Sequence, residues 1–177
     1  IGVRSQDGFQ DYCHNMRRRK KMKEEIIEQI KKEALDDHIP IIMDETLMVM
    51  DEVVAKRNKL FDRILEIGTA VGYSAICFSK FLSENGKIDT IERDGERVQK
   101  AKENVQKAGL EQKIQIYEGD AVELLPTLND TYDMVFIDAA KGKYPIFLQE
   151  ACRMLKPDGI IFADNVLYKG YVRSDYN

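Results

Sequence analysis

Two carboxylates and two glycines define the first chemistry open to this chain. In Leu65-Glu66-Ile67-Gly68-Thr69-Ala70-Val71-Gly72-Tyr73-Ser74, an apolar run (Phe61, Ile64, Leu65, Ile67) suited to a strand covered on both faces gives way to a helical pattern over Ser74 to Leu82. Gly68 and Gly72 permit a sharp turn and close backbone approach, and the helix start offers free N–H groups, so the turn suits a nucleotide cofactor. The glycines stand as G-x-x-x-G rather than the dinucleotide G-x-G-x-x-G, and Glu66 precedes the first of them. A pyrophosphate would be repelled by that carboxylate, whereas a ligand with an ammonium and a sulfonium group would not, which points to S-adenosylmethionine. Ile88-Asp89-Thr90-Ile91-Glu92 reads as a second strand, ending in a carboxylate whose two oxygens suit the two ribose hydroxyls. An ordinary strand-to-helix turn would explain the glycines alone; the paired strand-end carboxylates argue against it.

Three more groups fall at expected strand ends, where open parallel sheets place their ligands. Gly119-Asp120-Ala121 could pin an adenine through a carboxylate and backbone amides. Asp138, in Ile137-Asp138-Ala139-Ala140-Lys141, and Asp164-Asn165 are hard oxygen donors of the kind magnesium, manganese or calcium prefers. Taken singly, Asp164 could cap a helix and Asn165 could bond its own turn. Lys141 is either a solvated loop lysine or a base; Tyr144 and Tyr168 either stack on a flat acceptor or pack with satisfied hydroxyls.

The elements that must position these groups alternate strand and helix from Phe61 onward, the βαβ rhythm of a parallel sheet. Val98, Ala101, Val105 and Ala108 mark a helix over Gly95 to Ala108 closed by Gly109. Further strands are expected over 114–117, 134–137 and 159–163, a helix over 145–155, and a turn at Lys156-Pro157-Asp158-Gly159. Ahead of them, Ile26, Ile27, Ile30 and Ala34 mark a helix preceded by the basic run Arg17-Arg18-Arg19-Lys20-Lys21 with Lys23, either a solvated helix start or a phosphate contact. His38-Ile39-Pro40 ends that helix, and a second over Asp44 to Ala55 turns Leu47, Met48, Met50, Val53 and Val54 inward. The division expected is a helical extension over 1–38 and one catalytic domain over 39–177.

With 177 residues, 44% hydrophobic, the chain can bury one sizeable core. No apolar run reaches the roughly 18 residues of a membrane span, and the start lacks the apolar region of a signal peptide. Cys13, Cys77 and Cys152 are odd in number and dispersed, which suits reduced thiols and a cytoplasmic location. A net charge of −4 neither requires nor excludes nucleic acid.

LEIGTAVGYSA, IERD, EGDA, FIDAAKGKY and ADNVLYKG follow one another as they do in the cation-dependent O-methyltransferases, the catechol and caffeoyl-CoA family, which the chain resembles over roughly Ile39 to Val172. FIDAAKG followed by DNVLYKG is most similar to the bacterial branch acting on 5-hydroxyuridine at the tRNA wobble position. The resemblance implies an α/β, Rossmann-like class I methyltransferase fold with a mostly parallel central sheet and helices on both faces. It further implies that Glu66, Gly68, Thr69, Gly72, Ser74, Glu92, Asp120, Ala121 and Asp138 hold S-adenosylmethionine. Asp138, Asp164 and Asn165 would hold the metal, Lys141 would stand as the general base, and Asp138 would share in catalysis. The acceptor is then tRNA or a small hydroxyl compound, and the assembly a homodimer. Family members continue past the DNV segment through a helix and antiparallel strands, so a truncation or discontinuity is expected after Val172, and another before Lys23.

Competing classes fare worse. A nicotinamide dehydrogenase would carry the dinucleotide glycines or a Tyr-x-x-x-Lys pair, and no tyrosine here has a lysine four residues on. A non-catalytic binding module has no use for three metal donors and Lys141. Adenine amino-methylation lacks its Asn-Pro-Pro-Tyr motif.

Overall fold

Along β1 (Phe61–Ile67) and β4 (Tyr132–Ile137) successive apolar side chains are buried on opposite sides of one sheet. Ile64, Met134 and Phe136 join one core cluster, while Leu65, Ile67, Val135 and Ile137 join another. Such a run can only be central and covered twice. The computed structural model describes residues 6–138 and 141–164. Its five strands are parallel throughout and lie in the order β3-β2-β1-β4-β5, with β2 at Leu82–Glu92, β3 at Ile114–Glu118 and β5 at Leu155–Ala163. Helices α1 (Gln6–Asp36), α2 (Asp44–Arg57), α3 (Tyr73–Phe78) and α4 (Gly95–Lys107) supply the first cluster; α5 (Ala121–Leu124) and α6 (Tyr144–Met154) cover the second. Strand order reverses between β1 and β4, so the crevice for a ligand opens at their carboxyl ends.

Several local expectations need correction. The basic run does not precede a helix: α1 is continuous from Gln6, because no glycine or proline interrupts 9–36, and Arg17 to Lys23 lie in its interior, where the end dipole is not felt. The helix expected to Leu82 stops at Phe78, where the Ser79 hydroxyl donates to the Ile76 carbonyl at 2.7 Å and a tight turn delivers Leu82 into β2. In α2, Met48 is 65% exposed, since the inward face is set by Leu47, Met50 and Val54 at helical spacing. The turn at Lys156 to Gly159 lies inside β5. While β4 advances from Tyr132 to Met134, β5 advances from Leu155 to Ile160, and the surplus residues loop out. The same happens between Leu82 and Lys87 opposite Phe61 and Arg63. Among the described residues no helix is long and apolar enough to cross a membrane.

Toward the amino ends of β1 and β4, carboxylates tie the sheet together. Asp133, 3% exposed, accepts from the amides of Asp62 and Arg63 and from Lys156, each at 2.9 Å. Burial alone would raise its carboxyl; Lys156 and the two amides hold it below the ordinary range instead. Asp89 accepts from the buried Tyr132 hydroxyl at 2.9 Å and pairs with the Arg63 guanidinium. Asp89→Ala, which orphans the Tyr132 hydroxyl and loosens Arg63, should cost about 2–3 kcal/mol in urea unfolding, and Tyr132→Phe about 1 kcal/mol. Equal stability of all three proteins would show that the cluster does not hold the sheet.

Candidate active site

The turn after β1 is shaped by left-handed backbone. Gly68 (φ 107°) and Gly72 (φ 82°) occupy conformations that favour glycine, and Ala70 between them is held at φ 46°. Gly72 caps α3 and packs against α4: a Cβ there would lie 3.4 Å from Ala101. Hydrogen bonds fix the turn from outside. The amides of Gly68 and Thr69 donate to the Ile91 carbonyl at 3.1 Å, and the buried Asn104 amide donates to the Val71 carbonyl at 2.9 Å. Glu92 then closes it, one oxygen accepting from Ala70 N at 2.8 Å and the other from Arg93 N and Asp94 N at 2.9 and 3.1 Å. A carboxylate offers about four lone-pair positions, so Glu92 keeps capacity for a ligand.

Glu66 sits beneath this turn, fully buried, and lines neither cavity described below. One oxygen accepts from the Thr90 hydroxyl, itself bonded to Thr69; the other, Oε1, has no hydrogen-bond partner. Burial pushes its carboxyl up to about 7, opposed by the hydroxyls of Ser74 and Thr90 and assisted by the charges of Asp138 and Glu92. Thr69, Gly72 and Ser74 likewise form the support of the turn and are not among the cavity walls.

Two adjoining cavities open at the strand-order reversal. The first, about 290 Å³, is walled by Gly68, Glu92, Gly119, Asp120, Ala121 and Asp138 together with Arg93, Arg97 and Lys143. The second, about 310 Å³, shares Gly68, Glu92, Arg97 and Asp138 and adds Pro40, Ile41, Met43, Ala70 and Asp164. Five of the expected cofactor residues therefore meet around one space of a size usual for small-molecule sites. Asp120 caps α5 through Val122 N at 2.8 Å and pairs with Lys143 at 3.2 Å, which together lower its carboxyl.

Asp138 and Asp164 follow β4 and β5, paired in register up to Ile137 and Ala163, and both border the second cavity. Tyr144 spans their bases: its hydroxyl donates to the carbonyls of Ile137 and Asp164, and burial with the two aspartates' charge pushes its pKa up to about 12. Tyr144 thus packs with a satisfied hydroxyl and walls neither cavity. Asn165 and Tyr168 lie outside the described residues, as does the Lys141 side chain. Among the described residues no three His, Cys, Asp or Glu side chains gather as metal ligands; two of the expected donors meet, and the third, Asn165, lies beyond that set. Arg97, Asn104 and Thr90 went unread in the sequence. Asn104 and Arg97 lie on a helix whose polar residues look solvated, and Thr90 reads as an ordinary strand residue.

The O-methyltransferase family profile matches residues 59–177. A catechol O-methyltransferase of Niastella koreensis is 41% identical over 113 residues, covering 62% of this chain and 51% of that protein. The O-methyltransferase of Bacillus cereus in complex with S-adenosylhomocysteine superposes with a TM-score of 0.77 at 25% identity, covering 86% of this chain and 71% of that one. TomG of Streptomyces achromogenes, an O-methyltransferase of tomaymycin synthesis in complex with S-adenosylmethionine, gives 0.77 at 27% identity, covering 86% and 70%. The chain spans about half the length of the curated relatives it matches.

Buried Glu66 makes stability depend on pH. Its folded pKa of about 7 lies above the ordinary 4.5, so the native state holds a proton that the unfolded chain has released. The associated stability is complete below about pH 4.5 and lost as pH rises to about 7, a fall of up to about 3 kcal/mol. Glu66→Gln should remove that fall in urea unfolding of the ligand-free chain. A parallel pH profile in both proteins would disprove the buried proton.

Proposed function

The chain belongs to the O-methyltransferase family, and from that membership we propose that it transfers a methyl group from S-adenosylmethionine to a hydroxyl oxygen with the help of a divalent cation. The observation that carries this reading is the meeting of Gly68, Glu92, Asp120 and Asp138 around one cavity that opens into the space bordered by Asp164. Glu92 and Asp120 are the acceptors for ribose and adenine. Glu66, its carboxyl raised by burial, lies behind the turn as its electrostatic backing.

The donor set fits a hard cation: Asp138 and Asp164 directly follow adjacent parallel strands and border one cavity, and Asn165 would complete the set. Such a cation, when bound, lowers the pKa of an acceptor hydroxyl by stabilising its oxyanion. The chain's own tasks are then alignment and proton removal. The turn of Gly68 to Gly72 and Glu92 orient the cofactor so that oxygen and methyl carbon can lie in line. Lys141, next to Asp138 in the loop after β4, is the proposed proton acceptor.

For the acceptor, the catechol O-methyltransferase relatives support a small aromatic compound with a hydroxyl beside a second oxygen. A second reading, hydroxylated wobble uridine of tRNA, is favoured by the FIDAAKG and DNVLYKG segments and by the basic run in α1.

Calorimetry with S-adenosylhomocysteine tests the cofactor: Glu92→Ala should lower affinity by about 1.5–3 kcal/mol, the scale of charge-assisted hydrogen bonds. Since Glu92 also holds the turn, Glu92→Gln should lose less. Unchanged affinity in both variants would remove Glu92 from the site.

A chelator should abolish methyl transfer, and magnesium or manganese should restore it. With metal present, a catechol panel and hydroxyuridine-containing tRNA are compared directly. A catechol substrate should be nearly indifferent to salt, whereas tRNA affinity should fall steeply with it and respond to charge reversal at Arg17, Arg18 and Arg19. Full turnover in chelator with no metal bound would refute the cation.

A further inference from the structure

Arg97 stands in the first turn of α4, two residues past Gly95, half-buried, and borders both cavities. Helix physics disfavours it there. The first turn of a helix favours acidic groups, as Asp94 at the cap and Glu96 beside it illustrate, and a cation faces the positive end of the dipole. Nor does a neighbouring side chain compensate. Among the described residues the Arg97 guanidinium takes part in no ion pair or hydrogen bond.

The other charged side chains around the two cavities, Arg93 apart, have partners within the protein. Lys143 pairs with Asp120, the Glu92 carboxylate is held by three backbone amides, and Asp138 and Asp164 have partners of their own. Arg93 is exposed to solvent. Among the described residues Arg97 is therefore the half-buried charged group of these walls whose side chain has no bonded partner, and removing a charge from water is costly unless it is paired. Its planar fork of donors matches a carboxylate in two parallel hydrogen bonds.

Resting on the cofactor reading above, we infer that Arg97 binds a carboxylate of the small molecule occupying these cavities. The carboxylate has two possible sources, the amino-acid end of the cofactor or an acid group on the acceptor. Both are within the chemistry of the proposed reaction, and binding experiments separate them without relying on turnover.

Affinities of S-adenosylhomocysteine and methylthioadenosine, which lacks the amino-acid end, are measured by calorimetry for the unaltered chain, Arg97→Met and Arg97→Lys. If the cofactor supplies the carboxylate, Arg97→Met narrows the preference for S-adenosylhomocysteine about tenfold or more, and Arg97→Lys restores part of it. If the acceptor supplies it, that preference stays, and the protein loaded with S-adenosylhomocysteine and magnesium instead loses a preference for protocatechuate over catechol by a similar factor. Thermal melts of the three proteins show whether each variant is folded. Both preferences unmoved within about twofold in folded variants would overturn the inference. Failure of the unaltered chain to bind either nucleoside would instead overturn the cofactor reading, and this inference with it.

Discussion

The rest of the site depends on where the Glu92 carboxylate is held. It ends β2, is 8% exposed, and receives amides from two different segments, Ala70 in the turn after β1 and Arg93 with Asp94 at the entry to α4. A carboxylate that collects several backbone donors fixes their relative positions. It ties the left-handed Ala70 to the entry of α4, where Asp94 in turn caps the helix through the amides of Glu96 and Arg97. Asn104 reinforces it from the next turns of α4 by holding the Val71 carbonyl. The turn is thus clamped on both sides by a single helix and the residue that leads into it.

The same device recurs at the opposite end of the sheet with a different purpose. Asp133 gathers the amides of Asp62 and Arg63 and the Lys156 ammonium, and Asp89 gathers Tyr132 and Arg63. These carboxylates find their partners within the protein and join β1, β2, β4 and β5. At the carboxyl end, Glu66 is left with one unpartnered oxygen, and Arg97 lacks a protein partner among the described residues.

Much of this was legible in the sequence, for reasons that can be named. Consecutive apolar residues in β1 and β4 announce a doubly covered sheet, and glycines beside a strand-end carboxylate announce the turn. Residues that close a cavity by backbone topology, Gly68, Glu92, Asp120 and Asp138, could be picked out because each ends a strand or lies within two residues of a strand's end. What could not be read depends on side chains reaching across the fold. Glu66 was legible as a carboxylate near the cofactor, but not as a group sealed beneath the turn, because its burial is set by Thr90 on β2 and by α3. Arg97 and Asn104 share a strongly amphipathic helix with solvated lysines and glutamates, and only tertiary placement separates them. α1 begins well before its apolar pattern because a run of cations, which reads as a boundary, is made of arginine and lysine, themselves good helix formers.

The two looped-out stretches, Leu82 to Lys87 in β2 and Leu155 to Ile160 in β5, lie at the amino ends of their strands, away from the cavities. Beyond them each ladder runs in unbroken register to Ile91 and Ala163. Length and register are thereby uncoupled: residues gained or lost at the exposed Glu84, Asn85, Pro157 or Asp158 are absorbed locally, without a slip that would turn strand side chains to the wrong face. Gly86 and Gly159 bound that freedom, since a Cβ would meet the Phe61 carbonyl at 2.7 Å in the first stretch and the Leu155 side chain at 2.6 Å in the second. Those exposed positions are natural attachment points for a spectroscopic label or an inserted tag that must report on the molecule without disturbing the distant ligand crevice.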